Sequence, residues 1–107
     1  MGNDLPLAQA YELKELYLKG VRLLEQAATH RARGDLERAR EDDIRASDIA
    51  KDVNTLWSIH FQDAKKRFSN DPIGLRTLSK VLPTEENIQD LGDRVRTDRE
   101  LYYPEAT

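Results

Sequence analysis

Two histidines and a row of aspartates are the side chains with which this chain could do acid–base or metal chemistry. His30 falls near the end of one helical pattern and His60 in the middle of another. A carboxylate-bridged di-metal bundle uses Glu-x-x-His pairs, yet Ala27 stands three residues before His30 and Trp57 three before His60. A zinc site needs at least a third clustered ligand, so both histidines read as surface or boundary residues of helices. Asp42, Asp43, Asp48 and Asp52 line part of one helical pattern, and paired carboxylates can share a proton or hold a cation. Arg38, Arg40, Arg45 and Lys51 are interleaved with them. That alternation reads more simply as an exposed face crossed by ion pairs between successive turns. No metal and no cofactor is expected.

Other chemistries find no better footing. Glycoside hydrolysis needs two carboxylates across a cleft, which a small bundle with a single Trp does not supply. The serines have no base with a third group to orient it. Five scattered glycines make no phosphate-binding loop. Lys65-Lys66-Arg67 is a basic run of three ahead of Asp71, short for a nucleic-acid patch and ordinary for a solvated helix end. An enzyme is therefore not expected, and the search moves to surfaces.

With 107 residues the chain suits one domain with one modest core. Charged residues make up 35% and the net charge is −3, a balance that favours neither nucleic acid nor anionic membrane as partner. Cysteine is absent, which excludes disulfides and thiolate metal sites. No apolar run approaches the roughly 18 residues of a spanning helix, and the start lacks the pattern of a signal peptide. A cytoplasmic location is the expectation.

The elements that must carry any site are helical. Leu13, Leu16, Tyr17, Gly20, Val21, Leu24, Ala27 and Ala28 recur at spacings of three and four, predicting a helix from about Ala10 to Arg33. Gly34 fits its end and Asp35 the cap of the next. From Leu36 to Ser69 a near-heptad apolar series continues with no Gly or Pro, a single helix on the order of 50 Å, with a break near 53–58 the alternative. Asp43 stands where that stripe should be apolar, with Asp42 beside it, so that end is either solvated or meets a basic partner. Asp71-Pro72 restarts a short helix that Pro83 closes, and Thr84 caps a last one carried by Ile88, Leu91 and Val95. The expected organisation is a lead-in over 1–8, one all-α antiparallel bundle of three to four helices over 9–102, and an irregular tail over 103–107.

Aromatic residues supply the most suggestive surface. Trp57, Phe61 and Phe68 share a helical face, and Tyr17 lies near it across the hairpin. They read either as core or as the lining of a groove open to an amphipathic helix from another protein.

The segment Leu16-Tyr17-Leu18-Lys19-Gly20-Val21-Arg22-Leu23-Leu24-Glu25-Gln26-Ala27, continued through Gly34-Asp35-Leu36-Glu37-Arg38-Ala39 and Asp48-Ile49, resembles the start of the FliS family of flagellin export chaperones. Asp42-Asp43 stand where that family has apolar residues. A second likeness, around Asn54-Thr55-Leu56-Trp57 with Leu75 and Ser79, is to the FlaF family of flagellar regulators. The first resemblance implies a small bundle that wraps the C-terminal segment of flagellin in apolar grooves before export. By position it would place Tyr17, Val21 and Leu24 in the partner-binding face, to which the aromatic reading adds Trp57 and Phe61. The expected function is thus a helical binding protein, a flagellar export chaperone or regulator holding a helical protein client. A homo-oligomerising structural subunit and an adaptor docking a short linear motif are the alternatives.

Overall fold

The computed structural model describes residues 4–102, with side chains from residue 7 onward. Four helices account for them in order: α1 (Asp4–Ala32), α2 (Leu36–Arg67), α3 (Pro72–Val81) and α4 (Glu85–Tyr102). The fold is the all-α bundle expected, built on one long hairpin. Helix α1 begins earlier than the lead-in over 1–8 anticipated. Pro6 in its first turn is no obstacle, because the first N–H groups of a helix have no carbonyl partner inside it. The tail over 103–107 lies outside the described residues.

Helix α2 runs unbroken for 32 residues, so no interruption occurs near 53–58. Its length sets the long dimension of a molecule measuring 53 × 22 × 16 Å. The turn into it is held by both ends. Asp35 N–H donates to the His30 carbonyl at 2.8 Å and Gly34 N–H to that of Arg31 at 3.0 Å. This Schellman closure needs the left-handed backbone that Gly34 adopts, with φ of 82°. The Asp35 carboxylate then accepts the Arg38 N–H at 3.3 Å. At the other end of the chain, Thr84 and Asn87 cap α4 reciprocally, side chain to backbone, at 3.0 Å each way.

Small residues let α1 and α2 lie close. Ala27, Ala39, Ala46 and Val53 are fully enclosed, with Ala10 and Ala64 almost so. Toward the open end of the hairpin, α3 closes a core of Ala10, Leu13, Phe68, Leu78 and Leu82. Toward the hairpin turn, α4 crosses back over α2 and buries Leu91 against Leu23, Leu24 and Ala46. Tyr17 and Ile49 pack against both clusters and join them.

Gly20 marks a close crossing of three helices. A Cβ there would lie 3.1 Å from Ile49 Cγ2 and 3.3 Å from Leu91 Cδ2, so the residue faces α2 and α4 at once. Gly20→Leu should lower unfolding free energy by about 1–3 kcal/mol through overpacking. Urea denaturation should show a lower midpoint at constant slope; an unchanged midpoint would mean that the crossing has slack.

Candidate functional site

Sequence alone left Asp42 and Asp43 between solvation and a basic partner. Both are buried, at 8% and 7% exposure, and the partners come from α1. Arg31 Nη1 donates to Asp43 Oδ2 at 2.6 Å, while its Nη2 reaches Asp98 Oδ2 on α4 at 3.3 Å. The guanidinium also lies 4.0 Å from the centroid of the Tyr102 ring. Beside it, His30 Nε2 stands 3.5 Å from Asp42 Oδ2. Arg99 donates to the buried Ser47 hydroxyl at 3.0 Å. The expected ion-paired surface face therefore does not include Asp42 and Asp43. These two carboxylates turn inward and fasten α1 and α4 to α2.

Fixed charges also set the acidity of Asp98. Burial raises its carboxyl above the ordinary 3.8, and the neighbouring Asp43 carboxylate pushes the same way, with Arg31 opposing. A cluster of this kind can hold helices in register. Among the described residues no three metal-ligating side chains come together.

The aromatic pair builds a different place, at the start of α4. Trp57 and Phe61 stack with ring centroids 4.9 Å apart and planes 8° from parallel. The indole N–H donates to the Pro83 carbonyl at 2.8 Å, which ties α2 to the link between α3 and α4. Together with Ser79, Leu82, Pro83, Thr84 and Glu85 these rings line a pocket of about 220 Å³. Lys65 lies over the Phe61 ring, its Nζ 4.5 Å from the centroid. Both rings remain half-buried. The two rings form one wall of this pocket.

The five residues singled out in the sequence do not share one surface. Trp57 and Phe61 meet in this pocket. Tyr17 and Val21 are half-buried at the base of α4, packed against the cluster around Leu91. Leu24 lies inside that cluster at 3% exposure. A partner reaching Leu24 would have to displace α4, and Leu24→Asp would bury a charge and unfold the chain before it reported on binding. Sequence reasoning missed Arg31 and Asp98 as a pair. The signal was present in Asp43, a charge on an apolar stripe that demands a counter-charge.

A third feature lies between α2 and α4, an open groove of about 500 Å³ reaching from Ser47 and Arg99 to Asn54 and Ile88. Among the described residues no helix is long and apolar enough to cross a membrane. Compared with protein-family models, curated proteins and solved structures, the chain has no match.

The Asp98 environment predicts an unusual pH response. A carboxyl whose folded pKa is raised contributes stability that is complete below the unfolded value of 3.8 and is lost as pH rises through the folded value. Wild type should therefore gain stability relative to Asp98→Asn as pH falls from neutral toward that value. Parallel thermal melts across this range test it, and a wild type that loses stability relative to Asp98→Asn on acidification would contradict the assignment.

Proposed function

We propose that this protein is a binding module that holds a helical segment of a protein client, working in the cytoplasm as a flagellar export chaperone or regulator rather than as an enzyme. The observation that carries the reading is the Trp57–Phe61 pocket, a preformed apolar cavity with two stacked rings at its wall. Aromatic pockets of this size are the usual anchor points for a single large side chain of a partner. An indole anchored by its own hydrogen bond to Pro83 is held in place before any client arrives.

Helix α4 suits such a role because it lacks apolar grip. Its buried apolar residues are Ile88 and Leu91, and most of its other positions are polar or charged. A bundle so thinly covered on one side keeps surface for a second protein. The resemblance of Leu16–Ala27 and Gly34–Ala39 to flagellin chaperones makes the C-terminal region of flagellin the first client to try. Coupled folding of a disordered segment onto a helical groove gives a recognisable heat-capacity change.

Titration with that region of the host's own flagellin should give saturable one-to-one binding and a shift in Trp57 emission. Phe61→Ala should weaken it by about tenfold or more while the circular dichroism is unchanged. Absence of heat and of an emission shift, with a mass that rises with concentration, would favour the homo-oligomer instead.

A further inference from the structure

The groove between α2 and α4 and the aromatic pocket at the start of α4 follow one another along α2. Its floor is Ala50, Ile88 and Gly92, and its walls carry Lys51, Arg96 and Arg99 against a single carboxylate, Asp93. One helical turn beyond Asn54 and Ile88 come Trp57 and Glu85 of the pocket, and Phe61 follows one turn further along α2. From Ser47 to Phe61 this path is about 21 Å along α2, the length of roughly 14 helical residues. We propose that this groove seats the client helix, and that it selects an amphipathic helix with an acidic flank and one large apolar residue placed for the Trp57–Phe61 pocket. The inference rests on the binding-module reading and names the chemistry of its partner.

Gly92 is the first argument. It sits in the interior of α4, where glycine weakens a helix relative to alanine. A Cβ there would meet nothing within 4 Å, and its backbone is not among the positive-φ positions. Neither the turn chemistry nor the internal packing of this chain uses the missing side chain. What it leaves is a low floor beside Ala50, on which a second helix can approach closely.

Charge is the second argument. The chain as a whole carries −3, yet three cations line this groove against one anion, with Glu85 a second carboxylate at the pocket end. Arg96 is paired with Asp93 at the exposed rim. Arg99 gives one hydrogen bond to Ser47 at 3.0 Å and keeps further donors. Lys51 is exposed and makes no ion pair among the described residues. Aspartates and glutamates along the flank of an incoming helix would meet all three cations. A basic flank would be repelled, which is where such rim charges act most strongly.

The test uses a displayed library of 18-residue helical peptides, with a fixed apolar stripe and flanking positions randomised among Glu, Lys and Gln. Selection on the full chain should enrich Glu. The selected peptides should lose about tenfold in affinity on the Lys51→Glu/Arg96→Glu variant, and at least as much on Gly92→Leu. Gly92→Leu places its side chain in open space and should retain wild-type helicity, so its loss of binding reports on the groove. Enrichment of Lys or Gln, no enrichment, or binding indifferent to Gly92→Leu would each overturn the proposal. The two readings separate cleanly. If flagellin binds Gly92→Leu normally but not Phe61→Ala, the groove is wrong and the binding module stands. If acidic peptides bind and flagellin does not, the groove stands and the flagellin assignment falls.

Discussion

The guanidinium of Arg31 sits between carboxylates contributed by two other helices, Asp43 of α2 and Asp98 of α4, with the Tyr102 ring beside it. Another polar fastening of the C-terminal half of α4 is the hydrogen bond from Arg99 to Ser47 of α2. After Leu91 its apolar contribution to the core is the half-buried Val95. A buried and a half-buried carboxylate this close would repel each other without a cation between them. With Arg31 in place, the same charges become a clamp whose geometry admits one register of α4 on the hairpin. This is how a helix too polar to be held by burial acquires a defined seat.

The position of α4 in turn decides what the rest of the surface can do. Seated as it is, α4 covers Leu24 and half-covers Tyr17 and Val21, which makes them part of the fold. It also frames a groove along α2, with the Trp57–Phe61 pocket further along the same helix. The pocket has its own fastening in the indole hydrogen bond to Pro83. Thus α4 is held at both ends by polar contacts and in the middle by Leu91, over the Gly20 crossing. A groove framed in this way is preformed, and preformation lowers the ordering cost that binding must overcome.

Much of this was legible in the residues. Helix boundaries followed Gly34-Asp35, Asp71-Pro72 and Thr84, because capping and left-handed backbone depend on local residue types. The unbroken α2 was legible from its lack of Gly and Pro. The start of α1 was less so, since a proline stands in its first turn. What sequence could not supply was pairing across helices. The inward turn of Asp42 and Asp43 depends on His30 and Arg31, and on Asp98 some 67 residues away from Arg31 in the chain. Neighbouring arginines on α2 offered a local explanation that was wrong. Likewise the spacing of Tyr17, Val21 and Leu24 identifies a buried face but cannot say whether its cover is a partner or the chain's own last helix.

The claim on which everything else rests is that Arg31 holds α4 to the hairpin. The absence of cysteine lets two be introduced cleanly, at the exposed positions Glu25 of α1 and Thr97 of α4, for spin labelling and pulsed dipolar distance measurement. One narrow distance distribution is expected in the otherwise native chain. In Arg31→Met, where Asp43 and Asp98 face each other uncompensated, the distribution should broaden and move outward by on the order of a helix diameter, ~10 Å, with helical content retained. An unchanged, narrow distribution in Arg31→Met would contradict the account, and would mean that Leu91 and its neighbours alone seat α4.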